Sequence, residues 1–115
     1  MSNRKTIRTV IVNVTEDEQR SFVLEYSILE KEVYIEGTSA NTYGIEVLKR
    51  EKTILGTLRV EYRKIFDVFC TEQEATNAIH LLADNTVTPV SCHDIVEQLI
   101  GTDEIVCEEY EVLAV

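Results

Sequence analysis

Thr71-Glu-Gln-Glu-Ala75-Thr-Asn-Ala-Ile79-His-Leu-Leu-Ala83 is the stretch at which the hydrophobic rhythm of this chain changes. Upstream, apolar residues recur at every second position. From Thr71 onward, Ala75, Ala78, Ile79 and Leu82 recur at helical spacing, with Leu81 beside them. Thr71 followed by Glu74 forms a capping box, in which a hydroxyl and a carboxylate each satisfy a backbone N–H that a helix start leaves unpaired. Asp84-Asn85-Thr-Val-Thr-Pro89 breaks the stripe. Ser91 with Asp94 repeats the cap pattern, and Cys92, Ile95, Val96, Leu99 and Ile100 make a second stripe that Gly101 stops. Two short helices, each apolar on one side, are expected to lie on one face of a sheet.

The strands of that sheet are read upstream. Residues 6 to 14 are rich in β-branched side chains and run into the polar cluster Thr15-Glu-Asp-Glu-Gln-Arg20, a strand followed by a turn. Phe22, Leu24, Tyr26 and Ile28 then share one face of a hairpin partner that Val33 and Ile35 prolong, and Gly37-Thr-Ser-Ala-Asn41 reads as a loop. Tyr43, Ile45 and Val47 mark the next strand, with Lys49-Arg-Glu-Lys52 as a polar turn. Ile54, Gly56, Leu58, Val60 and Tyr62 alternate with Leu55, Thr57, Arg59, Glu61 and Arg63, one set for the core and one for water, and a short strand follows at Ile65 to Phe69. Short polar turns favour antiparallel neighbours, because parallel ones need long crossovers. The segment from Ile105 to Val115 has strand propensity and suits a sheet edge or a second chain. The expected class is α+β: an antiparallel sheet of five or six strands, two short helices packed on one face, and a C-terminal strand, in a single domain over residues 1–115.

Charge is unevenly divided along the chain. All 11 Lys and Arg lie in the first 64 residues, whereas residues 65 to 115 carry 11 Asp or Glu and no Lys or Arg. The formal charge of −10 therefore resides almost wholly in the second half, a pattern that points to an interaction surface rather than a reaction. The acidic balance disfavours direct binding of nucleic acid or anionic membrane, since phosphate contacts need Lys and Arg. No apolar run reaches the roughly 7 to 15 residues of a secretory signal core or the roughly 20 of a spanning helix. Three cysteines at 70, 92 and 107 make no disulfide framework and no C-x-x-C pair, so the expected compartment is the reducing cytoplasm.

Candidate chemistry is sparse. Cys92, His93, His80 and Asp94 are the conceivable metal ligands, but their spacing predicts no convergence, and no metal or cofactor is expected. Cys92 stands near a helix start, where a thiol is activated, yet also on the apolar stripe, which favours an inert core thiol. No phosphate-cradling glycine loop occurs. The cluster Lys49, Arg50, Lys52, Arg59, Arg63 and Lys64 is either an anion patch or the internal partner of Glu46, Glu51, Glu61 and the acidic half. Asp103, Glu104, Glu108, Glu109 and Glu111, with Asp94 and Glu97, form the acidic set proposed to meet a partner.

Tyr43-Gly-Ile-Glu46, the Asn85-x-Val-x-Pro89 turn and His93-Asp-Ile-Val-Glu-Gln-Leu-Ile100 resemble a family of small uncharacterised proteins from Gram-positive, spore-forming bacteria. The resemblance runs over residues 43 to 101 and does not take in the first 40. It implies an antiparallel sheet followed by a helix pair, and assigns no activity. Gln98 stands where the family commonly has an acidic residue.

Three functions follow as expectations. The leading one is a non-enzymatic cytoplasmic regulatory or protein-interaction module with a basic protein partner, such as a nucleic-acid-binding enzyme, and a possible homodimer through the C-terminal strand. The second is a nucleic-acid mimic, an inhibitor of a host nuclease or CRISPR complex, which requires the carboxylates on one continuous surface. The third is a small metal-dependent or cysteine hydrolase, which requires His80, His93 or Cys92 in a pocket with several carboxylates.

Overall fold

The computed structural model describes residues 2–13, 21–53, 55–101, 105 and 107–114. In chain order it forms β1 (Ser2–Asn13), β2 (Ser21–Ile35), β3 (Thr38–Lys52), β4 (Leu58–Phe69), α1 (Glu72–Asp84), α2 (Pro89–Ile100) and β5 (Cys107–Ala114). The sheet has the order β1-β2-β3-β4-β5, and every neighbouring pair is antiparallel. The α+β class with both helices before a final strand is the one the sequence pattern implies. The turn expected at residues 15–20, the strand start at Ile54, and Asp103 and Glu104 lie outside the described residues.

Three local expectations are corrected. Residues 38–41 are not a loop, because the chain reverses in two residues and Thr38 to Asn41 pair with Ile35 to Glu32. Glu36 and Gly37 both have positive φ, 51° and 78°. Two such residues twist a hairpin in the sense its strands require, so no longer connection is needed. Residues 49–52 likewise remain in β3, with Lys49 over the Phe22 ring at 4.5 Å, and the turn comes later, closed by Thr53 N–H donating to Thr57 O at 2.8 Å. The segment 65–69 continues β4 rather than starting a strand.

That continuation is bulged. Ile45 pairs with Ile65, but Tyr43 pairs with Phe69, so β4 uses four residues where β3 uses two. Asp67 within the bulge has φ 57°, and its carboxylate accepts from the Thr42 hydroxyl and meets Lys31 Nζ at 3.5 Å. Across the bulge, a Cβ added to Gly44 would stand 2.1 Å from Ile65 O. Only glycine admits the two backbones this close.

The core lies between one sheet face and the helices. Leu24, Tyr26 and Ile28 of β2, Ile45 and Val47 of β3, and Ile65 and Phe69 of β4 meet Ala75, Ala78, Ile79 and Leu82 of α1 and Cys92 and Val96 of α2. Helix α1 starts as its sequence implies, with Thr71 Oγ1 accepting from Glu74 N–H at 3.2 Å. Helix α2 starts three residues before the expected Ser91, with Thr88 as N-cap and Pro89 in the first turn. Proline fits there because its fixed φ is helical and its missing N–H would have had no partner. The Tyr26 hydroxyl donates to Val87 O at 2.8 Å within the core and thereby pins the link between the helices to the sheet.

Replacing Gly44 by Ala is expected to destabilise the fold by at least the ~1–3 kcal/mol typical of overpacking, since the obstructing atom belongs to the backbone. Tyr26→Phe should cost about 1–3 kcal/mol by leaving a buried carbonyl without its donor. Urea denaturation of the two variants checks both; an unchanged midpoint in either case would contradict the packing described.

Candidate functional site

Strand period decides where the acidic residues of β5 go. The register places Glu108, Tyr110 and Val112 opposite Ile65, Arg63 and Glu61, and Glu109, Glu111 and Leu113 opposite Lys64, Tyr62 and Val60. Consecutive residues point to opposite faces, so Glu108 turns towards the helices while Glu109 and Glu111 turn to the uncovered face. The acidic tail is therefore not one surface.

On the helix side, three elements converge. Arg63 of β4 donates from Nε to Pro89 O at 2.7 Å and from Nη1 to Glu108 Oε1 at 2.6 Å, and its guanidinium lies 4.4 Å from the centre of the Tyr110 ring. The other Glu108 oxygen meets His93 Nδ1 at 2.5 Å, and His93 Nε2 lies 2.5 Å from Glu97 Oε1. Tyr110 also donates to Glu61 Oε2 at 2.9 Å. Arg63 and Glu108 are largely shielded, with side-chain exposures of 13% and 27%. This chain of contacts ties β5 to β4 and to both ends of the first turn of α2.

A carboxylate on each side of the ring favours the imidazolium form. The hydrogen bond to Glu108 is the main cause that raises the His93 pKa above 6.5, against a smaller opposing effect of desolvation. Burial instead pushes the Cys92 thiol up to about 12, so it is an uncharged core group and no nucleophile at neutral pH. His80 lies on α1, where Arg8 donates to its Nδ1 at 3.1 Å and pairs with Asp84 at 3.2 Å. Of the ligand set considered from sequence, only His93 and Asp94 remain together. They are joined by Glu97, and the donor atoms of the three lie within 4.8 Å of one another.

The basic cluster is divided as well. On the uncovered face, Arg50, Glu25, Arg4, Glu46 and Lys64 follow one another as alternating charges, with Glu25 to Arg4 at 3.6 Å, Arg4 to Glu46 at 2.5 Å and Glu46 to Lys64 at 3.8 Å. Glu46 is 3% exposed. Arg59 and Arg63 face the helix side with Glu61 and Glu108. An anion patch is not what these residues form.

A family model matches residues 5–102 of this fold. The chain belongs to DUF6514, a family of unknown function. The DUF6514 match takes in β1 and β2 as well as the segment from Tyr43 onward, and so reaches further towards the N-terminus than the motifs at 43 to 101 imply. Arg63, His93 and Glu97 fall inside it, while β5 with Glu108 follows it. No curated protein and no solved structure matches the chain significantly.

The alternation over Leu58 to Arg63 runs opposite to its expected faces: Arg59, Glu61 and Arg63 turn to the helix side and Leu58, Val60 and Tyr62 to the uncovered face, so from sequence Arg63 reads as water-facing. The signal that locates it is phase: Ile65 and Phe69 belong to the core, and Arg63 precedes Ile65 by one strand period. Stability should respond to pH accordingly. The contribution of protonated His93 is fully present below pH 6.5 and is lost as pH rises through the higher folded-state value. Urea midpoints measured across that interval should fall in the native protein, and His93→Gln should remove this component of the slope; identical profiles would contradict the clamp.

Proposed function

We propose that this member of DUF6514 is a non-enzymatic, cytoplasmic protein-interaction module that receives an extended basic segment of a partner protein along the outer edge of β5. The observation that carries this reading is the edge itself. β5 is the last strand of the sheet, it pairs with β4, and every residue of Cys107–Ala114 is exposed as a whole, although the Glu108 side chain is folded against Arg63. An edge strand presents backbone donors and acceptors that a further strand can satisfy, and its side chains then select the sequence that binds.

The side chains favour a basic segment with apolar positions. Glu109 and Glu111 lie on one face of β5, and Tyr110 and Val112 offer exposed apolar surface on the other. The partner class, a basic protein, follows from this charge. A second copy could use the same edge, which makes a homodimer the competing assembly.

Internal pairing supports the module over the nucleic-acid mimic. Glu72 pairs with Lys5 at 3.5 Å, Asp84 with Arg8, Asp67 with Lys31 and Glu108 with Arg63, so part of the acidic half answers bases from the first half. A mimic needs those carboxylates free and side by side. The buried Cys92 and the separation of His80 from His93 favour a binding role over hydrolysis. Among the described residues no helix is long and apolar enough to cross a membrane, which is compatible with the cytoplasmic setting proposed.

The test titrates labelled peptides of alternating Lys and Val into the protein at low and high ionic strength. Binding should weaken with salt, and β5 amides should become protected from hydrogen exchange. Replacing Glu109 and Glu111 together by Gln should weaken binding about 2- to 30-fold, from the ~0.2–1 kcal/mol of each exposed pair. Protection confined to other strands, or an affinity indifferent to both salt and the substitutions, would contradict the proposal. Sedimentation of the protein alone separates partner capture from self-association.

A further inference from the structure

His93, Asp94 and Glu97 occupy positions i, i+1 and i+4 of α2, which an α-helix places within an arc of about 100°. Their donor atoms lie within 4.8 Å of one another, at the half-buried margin of the helix beside β5. A nitrogen donor is present as well as oxygen, and that distinguishes the group from an ordinary solvated acidic patch.

Its distinctive feature is the support of the ring from outside α2. Glu108 holds Nδ1, Arg63 holds Glu108, and the Pro89 carbonyl and Tyr110 ring hold Arg63. Strands β4 and β5 thus fix the rotation of the imidazole and keep a proton on Nδ1. Nε2 is thereby aimed at Glu97 Oε1, 2.5 Å away. At that distance a cation lies between the two atoms, the Nε2 proton in the imidazolium or a metal ion in its place. Charge favours the divalent ion over the proton, since the three carboxylates of Asp94, Glu97 and Glu108 surround one guanidinium and one imidazolium and leave one negative charge unbalanced.

We propose that His93 Nε2, Glu97 and Asp94 form a binding site for a divalent transition-metal ion of the zinc type, with Glu108 as the outer carboxylate that orients the imidazole. Imidazole and carboxylate together suit zinc, cobalt or nickel better than calcium or magnesium, which take oxygen ligands. Three protein ligands leave a position for water in a tetrahedral shell. Two ligands of such an ion stand about 3.3 Å apart, given metal–ligand bonds of ~2.0–2.1 Å. The Glu97 carboxylate must therefore retreat by less than about 1 Å to admit it, and Glu97 is 27% exposed and has room to do so. The metal takes the place of the proton on Nε2, and that proton leaves to solvent. The carboxylate–histidine–metal arrangement is one in which loss of the outer carboxylate lowers metal affinity about 10- to 100-fold.

The experiment uses the full chain stripped with a chelator, then titrated with Zn²⁺ by calorimetry and with Co²⁺ by visible absorption. One ion per chain is expected, with proton release detectable in buffers of different ionisation enthalpy and a Co²⁺ ligand-field band. ¹⁵N shifts of the ring should assign the metal to Nε2. His93→Gln should abolish binding, and Glu97→Gln should weaken it at least 10-fold. Glu108→Gln should weaken it about 10- to 100-fold without changing stoichiometry. Because His93 and Glu108 also fasten β5, Asp94→Asn supplies a variant outside that clamp, expected to lower affinity in a folded protein; Glu109→Gln, on the opposite sheet face, should have no effect. Absence of Zn²⁺ binding at submillimolar concentration, ring shifts that place the ion on Nδ1, or equal affinities for the native, His93→Gln and Asp94→Asn proteins would overturn the site.

Discussion

Helices cover only one face of this sheet, and much of the remaining structure answers that constraint. A five-stranded sheet with a single helical layer must make its other face tolerable to water without a second layer. The sequence does so with charge rather than bulk. The alternation Arg50, Glu25, Arg4, Glu46, Lys64 crosses three inner strands and the β1 edge, so each charge meets an opposite one and the long aliphatic stems lie over the strands beneath. Val60 and Tyr62 can then remain on the uncovered face half-buried. The Glu25 pairs are exposed enough to contribute little individually, whereas Arg4 and Lys64 compensate the buried Glu46 carboxylate, and as a connected series these contacts shield the face and fix strand register.

The same economy gives the charge asymmetry of the chain a structural meaning. Lys5, Arg8, Lys31 and Arg63 from the first half reach Glu72, Asp84, Asp67 and Glu108 of the second. Each of these contacts joins the early strands to an element that arrives later: the helices, the bulge or β5. The asymmetry is thus partly an assembly code within one molecule. What is left over, at Glu109, Glu111 and around His93, faces outward.

Period and capping made most of the architecture legible. Leu24, Tyr26 and Ile28 alternate cleanly, Ala75 to Leu82 recur at helical spacing, and Thr71 and Gly101 mark helix ends that the structure retains. Turns were harder to place, because Glu36 adopts positive φ without being glycine and charged residues such as Lys49 serve equally well in a turn or on a strand. The candidate site was legible in its parts but not in its assembly. Asp94, Glu97 and Glu108 are visible as acids and His93 as a potential ligand. Their meeting depends on where α2 lands on β4, and Arg63, the residue that organises them, looks like ordinary surface charge until the phase of Ile65 is known.

The placement of β5 also has a kinetic consequence. β1 to β4 are sequential hairpins whose contacts close short loops, whereas β5 can join β4 only after the intervening helices have been accommodated. Until then β4 is itself an open edge, with Val60 and Tyr62 on one side and Ile65 on the other. A chain that has formed its meander but not yet docked Cys107–Ala114 therefore exposes a longer edge than β5 presents in the finished protein, and docking of β5, which the Arg63–Glu108 contact fastens, covers it.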